Sequence, residues 1–186
     1  MNRILPSVAL AGLTACAIHP GAQVDGLERM LASHASATAA LEQWCERQGL
    51  ASPARVIAEQ APGQLVDEPS DLRGLLGVAN QDGLGSRHVR LTCGGRLLSQ
   101  AQNWYVPARL SPAMNALLAS TTTPFGKVAA PLDFRRELIE SRRGAGPDCP
   151  AGTVLFQRAL LRLPDGQPLA YVLECYAASA LGDASR

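Results

Sequence analysis

Aromatic side chains make up only 4% of this sequence, three histidines are present, and no two of the five cysteines form a CxxC pair. Each shortage excludes something. Among Cys45, Cys93, Cys149 and Cys175 there is no CxxC spacing and no adjacent histidine, so the ligand pattern of a zinc site is missing and neither a metal nor another cofactor is expected. His34 and His88 have no serine or cysteine placed to partner them, which excludes a recognisable nucleophilic triad. A net charge of +1 gives no broad field to attract nucleic acid, which is not an expected partner. The body of the chain has no internal repeat and no apolar run of bilayer-spanning length. Scarcity gives weight to the aromatics that remain. Trp104 and Tyr105 are neighbours on an expected strand, so their rings point to opposite faces, one into the core and the other free to line a pocket.

What is present suffices for one globular domain: 186 residues, 47% hydrophobic and 18% charged. The N-terminal segment stands apart. Arg3 gives a positive start, Ile4 to Ala15 is apolar but too short to cross a bilayer, and the segment ends in Leu13-Thr14-Ala15-Cys16. A leucine three residues before a cysteine, with small residues between, resembles the bacterial lipoprotein cleavage site. It implies lipidation at Cys16, anchorage to the membrane there, and a place in the bacterial envelope facing the periplasm. A buried N-terminal helix is one alternative; a true start at Met30, leaving the protein cytoplasmic, is another. The expected boundaries are a signal over 1–16, a tether over 17–23, a single domain over 24–178 and a flexible tail over 179–186. A monomer is expected. With Cys16 lipidated, Cys45, Cys93, Cys149 and Cys175 remain, and an oxidising compartment allows them up to two disulfides in three possible connectivities. Buried free thiols are the alternative.

Local signals place the elements. Helices are expected from Val24 to Leu31 and from a Ser36 cap to Arg47, the second burying Ala39, Ala40, Leu41 and Trp44. Arg55 to Glu59 reads as a strand, and Ala61 to Gly85 as loop with one helical turn at Leu72 to Leu76. His88 to Cys93 alternates as a strand, Gly94-Gly95 turns it, and Asn103 to Val106 returns until Pro107 ends it. Ser111-Pro112 opens a helix with Met114, Leu117 and Leu118 on one face. An irregular Thr122 to Gly126 loop follows, and Leu132 to Ile139 fits strand or helix equally. Val154 to Leu163 and Leu169 to Tyr176 form a closing hairpin around Pro164-Asp165-Gly166-Gln167. The class is α+β: an antiparallel sheet of about six strands with helices packed on one face.

The run from Arg87 to Gly126 and the closing hairpin resemble chorismate lyase, the family that removes pyruvate from chorismate to give 4-hydroxybenzoate. Ser36-Ala37-Thr38 with Glu42-Gln43, and Thr123-Pro124-Phe125-Gly126-Lys127, resemble its helix and its Thr-Pro loop. The resemblance covers roughly Val24 to Tyr176. It implies a pocket inside the sheet under two helical flaps, with Arg87 and Glu174 catalytic and with Arg87, Phe125, Ala37, Asn103 and Glu174 touching ligand. Asn103 stands where the family has a second arginine, so one carboxylate clamp is absent. One extra residue lies between Pro168 and Glu174, so Glu174 reaches the pocket only through a bulge. Two functions follow as expectations. One is an enzyme in which a protonated Glu174 assists elimination. The other is a non-catalytic envelope lipoprotein binding a small aromatic or carboxylate ligand, as transcription regulators with a related fold do.

Overall fold

The computed structural model describes residues 20–61, 63, 65–146 and 148–182. Helices α1 (Pro20–Ala32) and α2 (Ala37–Arg47) lead into β1 (Val56–Gln60) and the one-turn α3 (Leu72–Leu76). The hairpin β2 (Gly85–Cys93) and β3 (Arg96–Tyr105) follows, then α4 (Pro112–Ser120) and α5 (Phe125–Val128). Strands β4 (Arg135–Arg143), β5 (Thr153–Arg162) and β6 (Pro168–Ala177) complete one six-stranded antiparallel sheet, ordered β1-β2-β3-β6-β5-β4. The α+β class and the strand number agree with the sequence pattern.

Local chemistry explains the corners. Gly94 and Gly95 take φ values of 58° and 78°, which side-chain-bearing residues rarely adopt, and so turn the β2–β3 hairpin. The Ser111 hydroxyl accepts the Met114 N–H at 3.2 Å and caps α4, with Pro112 in its first turn. Asp165 accepts the Gln167 N–H at 2.9 Å in the β5–β6 turn.

Both faces of the sheet are covered. On one, Leu27, Leu31, Leu41 and Trp44 of α1 and α2 pack on Val56, Val89, Leu155 and Tyr176. Beside them Leu118, Phe125 and Val128 of α4 and α5 pack on Phe134, Leu161 and Val172. On the other, Leu72 and Leu76 of α3 pack on Trp104, Phe156, Tyr171 and Leu173. Trp104 thus belongs to the far core, tilted on Tyr171 at 5.9 Å, while Tyr105 faces the near side against Phe125 at 5.4 Å. Disulfide Cys45–Cys93 ties α2 to the end of β2, and Cys149–Cys175 ties the β4–β5 connection to β6.

Several expectations change. Residues 20–23 of the expected tether begin α1; residues 1–19, with Cys16, lie outside the described residues. Of the segment Leu132 to Ile139, Leu132 ends a 3₁₀ turn, Asp133 is left-handed, and the strand β4 begins at Arg135. The Thr-Pro loop runs directly into α5 at Phe125, so its last residues are helical. Ala39 and Leu117 face solvent, because their neighbours Ala40, Leu41 and Leu118 already fill the buried stripe. The expected tail is partly ordered: Ala178–Leu181 form a 3₁₀ turn whose Ala180 and Leu181 are buried, and Trp44 Nε1 donates to the Ala180 carbonyl at 2.8 Å. Residues 183–186 lie outside the described residues.

Candidate functional site

Register builds the floor of a pocket. Arg87 pairs with Asn103 and Val89 with Ala101 across β2–β3. Asn103 in turn pairs with Val172, and Ala101 with Glu174, across β3–β6. Alternation therefore places Arg87, Val89, Asn103, Ala101, Val172 and Glu174 on one face. Glu174 arrives there through a bulge. Arg162 pairs with Pro168 and Leu161 with Ala170, which leaves Leu169 as the extra residue of β6. Phe134 and Arg136 form one wall. Ser36-Ala37-Thr38 at the start of α2 and Pro124-Phe125-Gly126 around the start of α5 form the roof. The cavity measures about 40 Å³, room for a few waters.

Two buried guanidinium groups lie on this face of the sheet in different states, Arg136 lining the pocket and Arg87 beside Asn103. Arg136 Nη2 donates to Glu174 Oε2 at 2.6 Å and to Gln157 Oε1 at 3.0 Å. Both members of that ion pair are buried, 6% and 7% exposed. Burial pulls the Arg136 pKa down, but the Glu174 carboxylate and the nearby Tyr176 more than offset it, so the net shift is upward. Arg87 is 4% exposed, yet its Nε, Nη1 and Nη2 have no hydrogen-bond partner among the described residues. Burial lowers its pKa, with Tyr105 partly opposing. Tyr176, wholly buried beside Glu174, has its hydroxyl pushed well above the usual tyrosine value, first by burial and then by that carboxylate.

Ala37, Asn103, Phe125 and Glu174 line the cavity, and Arg87 lies on the same face next to Asn103. Arg136 and Gln157 were not singled out by the sequence as site residues. The available signal was phase: Phe134 and Arg136 are two apart, so a buried Phe134 brings Arg136 to the same side. The ion pair occupies Glu174 Oε2, so a ligand that uses that oxygen competes with Arg136 for it.

A larger open cleft of about 890 Å³ lies on the opposite face, between Leu75, Tyr171 and Arg158. Its cation is already engaged, Arg158 Nη2 donating to Asp148 at 2.7 Å. The smaller pocket, with the unengaged Arg87 on the same face beside its lining residue Asn103, is the stronger candidate. Among the described residues no group of His, Cys, Asp and Glu could hold a metal.

No family model matches the chain. The uncharacterized protein y4mC of Sinorhizobium fredii is 35% identical over 197 residues, a match covering 95% of this chain and 80% of that one. Among solved structures, PhnF from Mycobacterium smegmatis matches 78% of this chain with a TM-score of 0.53 at 12% identity, over 64% of its own length. The effector domain of PhnF matches 77% of this chain with a TM-score of 0.52 at 13% identity, over 88% of its length. Identities this low establish the fold alone: the chorismate lyase-like α+β arrangement that effector domain also has.

Proposed function

The chain belongs to the family of y4mC from Sinorhizobium fredii, and we propose that its domain binds a small carboxylate ligand in the pocket. The observation that carries this reading is Arg87, a buried guanidinium with three unengaged nitrogens. An unpaired buried charge is expensive, and a carboxylate is the geometric match to a guanidinium fork. Val89, Leu91, Phe134, Leu161 and Val172 offer an apolar sleeve for the ligand's body, aromatic or aliphatic. At about 40 Å³ the cavity is smaller than such an acid, so seating one requires the Ser36–Thr38 and Pro124–Gly126 segments to part. The fold shared with the effector domain of PhnF supports binding.

Turnover of chorismate is disfavoured on two grounds. Glu174 is already engaged by Arg136 at 2.6 Å, and Asn103 leaves a dicarboxylate without its second strand arginine. The two disulfides support work outside the reducing cytoplasm, in keeping with lipidation at Cys16; loss of globomycin-sensitive processing on Cys16→Ser is the check. Binding is tested by titrating the purified domain with benzoate-class and short aliphatic acids, following calorimetry and thermal shift. Saturable binding that Arg87→Met abolishes is expected, with no 4-hydroxybenzoate absorbance on incubation with chorismate. Affinity unchanged in Arg87→Met sinks the reading.

A further inference from the structure

The charge count of the pocket defines a narrower ligand class. Two ionisable groups line it, Arg136 from β4 and Glu174 from β6, and a third, Arg87 of β2, lies on the same face of the sheet beside Asn103, which lines the pocket. Arg136 and Glu174 cancel through their 2.6 Å contact, which Gln157 extends at 3.0 Å. Lys127 and Glu42 at the roof cancel likewise, at 2.6 Å. One uncompensated positive charge remains, on Arg87.

We propose that the pocket selects a monocarboxylate whose far end carries an uncharged donor–acceptor group, such as an amide or a hydroxyl, placed on the Arg136–Glu174 pair. This rests on the carboxylate-binding reading above and adds the identity of the second anchor point. The pair presents a cationic donor and an anionic acceptor side by side. A neutral amide satisfies both at once, its carbonyl accepting from Arg136 and its N–H donating to Glu174. A second carboxylate faces Glu174 instead, and must displace it from Arg136 while both stay buried. Such a displacement leaves one anion without a partner in a site that excludes water. Arg136 therefore does not simply replace the arginine missing at Asn103. Glu174 holds it, and the pair reads the far end of the ligand as neutral.

The test uses probes of one shape that differ by one charge. 4-Carbamoylbenzoate is compared with terephthalate, and succinamate with succinate, by calorimetry on the full domain at neutral pH. The wild-type protein is expected to bind the amide of a pair roughly tenfold tighter or more, because an uncompensated buried charge costs more than a neutral hydrogen bond returns. Glu174→Gln frees Arg136 and raises the pocket charge by one, so the preference narrows or reverses toward the diacid. The double variant Arg136→Gln with Glu174→Gln keeps the net charge and is expected to keep the preference for the amide, which guards against a misfolded single variant. Equal or tighter binding of the diacid by wild type, or a preference that Glu174→Gln leaves unchanged, overturns the inference while leaving carboxylate binding intact. Failure of all four probes to bind, with Arg87→Met indistinguishable from wild type, overturns the binding reading itself.

Discussion

Gly126 packs so closely on Ser36 that a β-carbon on the glycine would overlap the serine hydroxyl and stand 3.0 Å from Thr38 Oγ1. Those two residues belong to opposite halves of the roof. The close approach joins the two halves over the pocket, and it exists only because position 126 has no side chain. Gly126→Ala is therefore expected to wedge the roof open and destabilise the ligand-free protein by about 1–3 kcal/mol, the usual cost of an inserted methyl. Ser36 makes no side-chain cap bond to α2, so Ser36→Ala alone costs little. Combining the two should recover most of the loss. Denaturant melts of the four proteins give the coupling; additive effects show that the two residues do not touch.

Arg87→Met should move stability and affinity in opposite directions. Replacing a buried, unpartnered cation with an isosteric apolar chain relieves its desolvation, for a gain of about 1 kcal/mol or more in the empty protein. The same change removes the ligand's anchor. A residue retained for packing alone would lose stability on substitution, so a lower melting temperature for the methionine variant argues against the anchor role.

Tyr176 sets an alkaline limit. Its hydroxyl is held neutral in the fold by burial and by Glu174, so its folded pKa lies above its unfolded value near 10. The stability this contributes is complete below that unfolded value and falls as pH climbs above it, where only the unfolded chain ionises. Tyr171, raised mainly by burial, acts in the same direction. Urea midpoints should stay level from pH 7 to 9 and decline beyond about pH 10, less steeply in Tyr176→Phe. An equal slope in both proteins contradicts the assignment.

Most of the frame was readable because it is punctuated locally. Gly94-Gly95, the Ser111 cap and the Pro164–Gln167 turn each fix a corner by their own backbone chemistry, and Leu72–Leu76 forms its single turn as the pattern indicates. What escaped depends on partners far away in the chain. Ala178–Leu181 looks like a loose end because small residues carry no periodic signal; its order comes from Trp44, 136 residues earlier. Arg136 was hidden by its twin. Within Arg135-Arg136 itself nothing tells which arginine turns inward; the phase set by Phe134 is the one local hint, and pairing with Leu161 of β5 fixes it. Glu174 was legible as a residue but not as a state, since its engagement by Arg136 is a contact across 38 residues.

The Cys45–Cys93 crosslink fastens one end of α2 to the sheet, while Ser36, Ala37 and Thr38 at the other end cover the ligand. The rivet sits about 12 Å along the helix from Ala37, so the covalent restraint acts at the end away from the pocket, and the rim beside Gly126 is held by non-covalent contacts alone.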